Sequence, residues 1–436
     1  MEVVSSQRRR EIIDALRRGT VPQRSLDVFA VGLERFDTVI DETLEAVANQ
    51  GAVFKAVRGE YGSGKTFFGR FLQERAKRRR FAVAEVQISE TETPLHRLET
   101  VYRRAMERLS TIDTFQGALR SIIDGWIYGL EEEAIAEGCD ESRLVARTDE
   151  LLEQRLATVS RVTPQFGLAI RRYRHAQVAG DSATAEGLIA WLSGQPHIGA
   201  AIKRQAGIKG DVDHFAALSF LQGLLVVLRD SGYAGLVLVL DEIETLQRVR
   251  GDVREKGLNA LRQLVDEIDA GRFPGLFLII TGTPAFYDGP QGIRRLEPLA
   301  QRLHVDFAGD PKFDNLRAVQ IRLPGFDPAR LVAVGRRVRD LYAQEGDHAD
   351  RIHRKIDDAC IERLASGVTG QLGGRVGVAP RIFLKKLVSE LLDRVDQFDN
   401  FEPTRDYQLT LADQELNPTE RSARAKSVDD IELDDV

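Results

Sequence analysis

The run Val53–Arg58, followed at once by Gly59-Glu60-Tyr61-Gly62-Ser63-Gly64-Lys65-Thr66, constrains this chain more than any other feature. A short apolar run reads as a strand, and the pattern from Thr66 to about Arg79 reads as a helix. Between them sits the spacing G-x-x-x-x-G-K-T in the strand–loop–helix context that gives the spacing meaning. Glycines let a backbone wrap closely around a small anion, so that successive N–H groups point inward. The start of the helix adds the positive end of its dipole. The ligand that suits such a loop is the polyphosphate of ATP. Gly59, Glu60, Tyr61, Gly62, Ser63, Gly64 and Phe67 are therefore nucleotide-contact candidates. Lys65 is expected to reach the β- and γ-phosphates, and the Thr66 hydroxyl to bind Mg2+.

From Gly51 onward, short apolar runs alternate with helical patterns. Strands are expected at 53–58, 81–88, 236–240, 276–281 and 319–323. Alternation of this kind implies an α/β fold, an αβα sandwich with a parallel sheet covered on both faces. Residues 110–210 carry no strand signal and read as a long α-helical insertion. The core is then split into 51–109 and 211–323. Residues 1–50 precede it with two helices, 5–18 and 38–48. Residues 324–400 read as a helical lid with helices at 328–345, 350–364 and 380–395. Residues 401–436 read as a polar, acidic tail, with 427–436 expected to lack structure.

The second constellation is Leu236-Val237-Leu238-Val239-Leu240-Asp241-Glu242, a wholly apolar strand that ends in two acids. Two carboxylates at a buried strand end are costly unless a metal, a water or a partner compensates them. Asp241 is expected to hold Mg2+, and Glu242 to orient the attacking water. Leu276–Thr283 is a third apolar strand with hydroxyls at its tip. In ATPases with an extra strand between the two motifs, such a tip faces the γ-phosphate. Thr281 is the first candidate and Thr283 the second. Arg302, then Arg295, is the candidate for a finger reaching a neighbouring subunit's phosphate, the alternative being surface arginines paired with local acids. Arg381 follows Pro380 in the first turn of a helix, where proline is favoured, and could project back to the phosphates. Val31 and Gly32 lie upstream of the loop, where adenine would be contacted.

Composition limits the partners. With 61 basic and 67 acidic side chains the net charge is -6, whereas a protein that coats nucleic acid is usually basic overall. Three local basic clusters, Lys77–Arg80, Arg171–Arg174 and Arg336–Arg339, keep DNA open as a partner, although each also reads as a solvated helix face. Cys139 and Cys360 are far apart and read as free thiols. No apolar run approaches the roughly 20 residues needed to cross a bilayer. No apolar segment follows the charged residues Arg8–Arg10 either, so a cytoplasmic protein is expected.

At these residues the chain resembles the AAA+ superfamily, nearest its origin-recognition-like and STAND-like branches. The order of parts is shared: Val31-Gly32, the glycine loop, Asp241-Glu242, the Thr281 strand, the arginine-bearing helix, and Pro380-Arg381. It departs in the insertion and in lacking the usual Asn on the Thr281 strand. Leu16–Pro22, Gly59–Phe68, Pro94–Tyr102 and Gly282–Phe286 look like the BREX-system ATP-binding proteins of the BrxD family. That resemblance implies an ATPase of a bacterial anti-phage defence system. Its implied partners are itself, helicases or other defence proteins, and DNA.

Overall fold

A computed structural model describes residues 4–424 except 345, 375, 376 and 378. The acidic segment 427–436 lies outside the described residues. Five strands form one parallel sheet: β1 (Val53–Arg58), β2 (Phe81–Gln87), β3 (Gly235–Asp241), β4 (Leu276–Gly282) and β5 (Gln320–Arg322). Their order across the sheet is β2-β3-β4-β1-β5. β4 therefore lies between β1 and β3, as the sequence reading requires. All five expected strands are present, with ends shifted by one residue or so.

The apolar runs are explained by the two faces they must cover. Successive side chains in a strand point to opposite faces. Leu236, Leu238 and Leu240 of β3 enter one core, and Val237 and Val239 the other. β4 divides likewise, with Leu276, Leu278 and Ile280 on one side and Phe277 and Ile279 on the other. A strand covered on both faces has no polar positions to spend, which is why these runs lack alternation.

Helices supply the covers. α1 (Ser6–Arg17), α2 (Asp37–Ala48) and α3 (Lys65–Arg78) precede β2. Between β2 and β3 come α4 (Leu98–Arg108), α5 (Leu119–Ala136), α6 (Glu141–Val162), α7 (Pro164–Val178), α8 (Ser182–Leu192), α9 (Ala200–Ala206) and α10 (His214–Asp230). In this stretch each helix from α5 to α8 packs on the next, and α6 also packs on α10. Further along are α11 (Gly251–Asp269), α12 (Pro284–Asp288) and α13 (Glu297–Arg302). No helix of the described residues is long and apolar enough to cross a membrane.

The C-terminal helices differ from expectation in two places. The span 350–364 is two helices, α15 (Ala349–Lys355) and α16 (Asp358–Gln371), following α14 (Pro328–Ala343). The break falls at Asp357, whose backbone is extended and whose carboxylate accepts the Cys360 N–H at 2.8 Å. Capping the new helix outweighs continuing the old one. α17 (Pro380–Lys386) runs through a π-helical stretch, Leu387–Leu392, into Asp393–Gln397. The second difference lies in 401–424, which is more than a polar tail. Leu411, Leu416 and Ala423 are buried, as is Glu420.

The N-terminal segment also divides. α2 packs against the sheet, whereas α1 packs on α14 and α17. Arg17 fixes it there with a two-pronged contact to Asp393, Nε to Oδ2 at 2.7 Å and the second nitrogen to Oδ1 at 2.8 Å. Tyr342 donates to the same carboxylate at 2.8 Å. These contacts push the Arg17 guanidinium further above its usual value, the Asp393 hydrogen bonds contributing most. Asp393 is 8% exposed, so loss of its carboxylate leaves two donors short of an acceptor. We expect Asp393→Ala to lower unfolding stability by about 1–3 kcal/mol, read as a lower denaturant midpoint. A double-mutant cycle with Arg17→Ala should return a nonzero coupling.

Candidate nucleotide site

The loop between β1 and α3 adopts a conformation that its glycines permit. Gly62 and Gly64 have φ of 80° and 87°, in the left-handed region that other residues avoid. Gly59 is needed for a different reason: a Cβ there would come within 2.3 Å of Ser63 Oγ. The Lys65 ammonium is folded back on the loop, donating to the carbonyls of Gly59 at 2.9 Å and Glu60 at 3.2 Å. Burial holds Lys65 below its usual pKa, opposed mainly by Glu244 and then Asp241.

Beside the loop, the first turn of α3 and the tip of β4 share the carboxylate at the tip of β3. Thr66 donates to Asp241 Oδ2 at 2.8 Å. Thr281 donates to Asp241 Oδ1, and its own oxygen accepts the Glu242 N–H at 3.2 Å. Asp241 is 4% exposed and Thr281 is fully buried. After Asp241 the backbone kinks: Glu242 has φ 59° and ψ 43°, a strained left-handed position for a side chain of its size. The kink turns its carboxylate toward the tip of β2, where Gln87 Nε2 donates to Oε2 at 2.9 Å. Parallel pairing sets this up, because Gln87 lies opposite Asp241 in the register.

The adjoining pocket holds about 280 Å3. Val31, Gly32, Tyr61 to Phe67, Asp241, Glu242 and Arg381 line it. The loop, the two acids and the two upstream residues thus share one pocket. Phe67 meets Phe29 edge to face at 5.3 Å, giving the pocket an apolar wall. Gly59 and Glu60 contribute through their carbonyls to Lys65 rather than as lining. Thr281 and Thr283 are buried behind the surface, and Thr281 acts through Asp241.

The arginines are placed differently. Arg302 does not line this pocket; it pairs with Asp266, and with Asp269 at 3.5 Å, on the surface of its own chain. Arg295 donates to Gln291 at 3.1 Å. Arg381 does line the pocket, but Glu420 takes its guanidinium, Nε to Oε1 at 2.8 Å, and the Glu415 carbonyl adds a contact at 2.6 Å.

Sequence reasoning missed two residues here. Glu244 is 4% exposed and lines the pocket, with Oε1 3.9 Å from Lys65 Nζ and Oε2 without a hydrogen-bond partner. Burial pushes its carboxyl above the usual range, with Lys65 opposing. The spacing Asp241-Glu242-x-Glu244 is visible, but its inward turn comes from the short 3-10 helix Ile243–Gln247. Gln87 was read as an ordinary strand residue.

Three carboxylates around one buried lysine leave the site short of positive charge, and Ser63 Oγ is buried without a partner. The first fits a magnesium ion and the second a phosphate oxygen. Thr66 and Asp241 would hold the metal, because magnesium usually keeps waters and phosphate oxygens alongside one or two protein ligands. Among the described residues no group of three or more His, Cys, Asp and Glu side chains forms a self-sufficient metal cage.

A parallel α/β sheet with this loop at the end of β1 is the architecture of a P-loop nucleotide-binding protein. Residues 4–411 match the family described as BREX system ATP-binding protein BrxC/D, and the chain belongs to that family. It is therefore an ATP-binding protein of the BREX type. No curated protein matches the chain.

Thr281 supports Asp241 without touching the pocket, so its role can be separated from nucleotide contact. Loss of an outer partner typically costs about 10–100-fold in metal affinity or activity. Thr281→Val should shift the Mg2+ concentration needed for tight ATP binding upward by that factor. Binding of ATP without Mg2+ should be unchanged, and Thr281→Ser should behave as wild type in a titration with labelled ATP.

Proposed function

We propose that the protein hydrolyses ATP as an AAA+ ATPase of a BREX defence system, with the C-terminal helical unit serving as a lid. The observation that carries this reading is the chain Thr66–Asp241–Thr281–Glu242. It ties the metal-side hydroxyl, the shared acid and the backbone of a second, kinked acid into one rigid group. A group that only held nucleotide would not need Glu242 in a strained position beside it. In this reading Lys65 leaves the Gly59 and Glu60 carbonyls for the β- and γ-phosphate oxygens. Magnesium, when bound, supplies further charge neutralisation on the phosphates. Glu242 orients a water in line with the γ-phosphorus and takes its proton as the new P–O bond forms. The bond to the β-phosphate oxygen breaks, and ADP leaves.

A second reading, a slow STAND-like switch, is favoured by one observation. Arg381, which lines the pocket from the C-terminal helices, is occupied by Glu420. Turnover would then wait on release of that pair. Arg302 could act as a finger on a neighbour only after leaving Asp266 and Asp269. Mass in solution, measured on Glu242→Gln with and without ATP and Mg2+, separates the two readings. Assembly with ATP supports a self-associating motor that works with DNA or a helicase; a monomer in both conditions supports the switch.

Catalysis itself is tested by two substitutions. Lys65→Ala should abolish ATP binding. Glu242→Gln should bind ATP as wild type but turn over slower by about 100-fold or more. Wild-type turnover by Glu242→Gln would remove Glu242 from the mechanism.

A further inference from the structure

The sheet ends at β2, and that edge carries a second cleft. Ser110 pairs with Val83 through two backbone hydrogen bonds of 2.9 Å, which lays the segment after α4 across the edge. Between this segment, the outer face of α3, the loop at Gln23-Arg24 and the first turn of α1 lies a groove of about 400 Å3. Its lining carries six cations, Arg8, Arg24, Arg70, Lys77, Arg78 and Arg108, against two carboxylates, Glu74 and Glu85. Both carboxylates are already engaged. Glu74 accepts the N–H groups of Ser25 and Leu26 at 2.8 and 2.9 Å. Glu85 accepts from Arg70 at 2.9 Å and Gln73 at 3.2 Å. Arg78 pairs with Asp27 at 2.6 Å. For Arg8, Arg24, Lys77 and Arg108, no carboxylate of the described residues lies within 4.0 Å.

These four cations gather around one groove in a chain whose net charge is -6. Arg79, next to the groove, pairs with Asp41 at 2.7 Å, and most arginines of the other two basic clusters also meet acids. Arg174 is buried against Glu131 and Asp149 at 2.7 and 2.8 Å, and Arg171 meets Glu153 at 2.8 Å. Arg336 and Arg339 meet Asp358 at 3.2 and 2.8 Å. In the groove the charges instead crowd one another: burial and the neighbouring Arg24 bring Lys77 down to about 8. An anion entering here would relieve that repulsion.

The groove also has an apolar end. Phe115 is 43% exposed and Ile112 61%, with the Arg24 guanidinium 4.3 Å over the Phe115 ring. A row of cations beside an exposed aromatic ring is the arrangement that holds single strands: the cations track the phosphates and a base stacks on the ring. A free phosphate would need no ring, and an acidic peptide would gain little from one. We propose that this groove is a binding site for single-stranded nucleic acid. It is separate from the ATP pocket and does not depend on ATP hydrolysis, although Gln87, which holds Glu242, sits at its end.

The test uses the full chain without nucleotide and a fluorescein-labelled oligo-dT of twenty residues, read by polarisation. A duplex of the same length serves as comparison, and polyglutamate as competitor. We expect the single strand to bind more tightly than the duplex, with affinity falling as salt rises. Phe115→Ala should weaken binding about tenfold, the loss of one stacked base. Arg24→Glu with Lys77→Glu should weaken it further, whereas Arg336→Glu should have no effect. ATP binding by each variant reports that it is folded. Lys65→Ala should still bind the oligonucleotide, so failure of the ATPase reading would leave this result standing. Unchanged affinity in both groove variants, tighter binding of the duplex, absence of oligo-dT binding, or displacement by polyglutamate at equal charge would each overturn the proposal.

Discussion

One carboxylate shared by two hydroxyls organises the nucleotide end of this molecule. Asp241 accepts from Thr66 on one side and Thr281 on the other. That is possible only because β4 sits between β1 and β3, bringing the tips of β3 and β4 and the start of α3 to one point. A buried carboxylate is tolerated when its lone pairs are satisfied, and here the satisfying groups come from the loop and the central strand. The same Thr281 oxygen receives the Glu242 N–H, so the kink that aims the second acid is fastened to the group that fixes the first. Strand order thus sets the chemistry available, and displacing Thr66, Asp241 or Thr281 would disturb the other two.

Much of this was legible in sequence because it depends on local pattern. Wholly apolar runs mark strands covered on both faces, and the glycine spacing marks the loop. What was not legible depends on partners that are distant along the chain. Arg381 follows Pro380 as a phosphate-facing arginine should, yet its nearest acid, Glu420, is 39 positions on. The break before α16 turns on whether Asp357 caps a helix or continues one, and both patterns fit the same residues. Glu244 is acidic and looks exposed until a single 3-10 turn rolls it under the loop. Residues 403–424 are polar in composition, and only a few apolar side chains among them find the C-terminal helices.

The basic clusters make the same point about charge. Three runs of similar composition do not meet the same surroundings. Two find acids on neighbouring helices and become ordinary ion pairs, with little to offer a partner. The third is divided: Arg78 and Arg79 find acids, while Lys77 faces a groove in which Arg8, Arg24 and Arg108 also have no carboxylate within reach. Net charge says nothing about such a place, because it averages over a surface on which most opposite charges are already neighbours.

The placement of α1 bears on how the two halves of the molecule can move. α1 rides on the C-terminal helices through Arg17 and Asp393, while a few residues later Ser25 and Leu26 are pinned to α3 by Glu74. The C-terminal helices are also joined to the sheet through Pro324–Phe326. Two tethers therefore connect them to the core, and both Gly19–Pro22 and Pro324 line the nucleotide pocket. A body hung on two short tethers behaves like a door on two hinges: it can swing about the line between them but cannot slide or twist freely. Any such swing would pivot at the pocket wall itself, so a bound nucleotide would sit near the axis and a small change there would be magnified at the far edge of the helices.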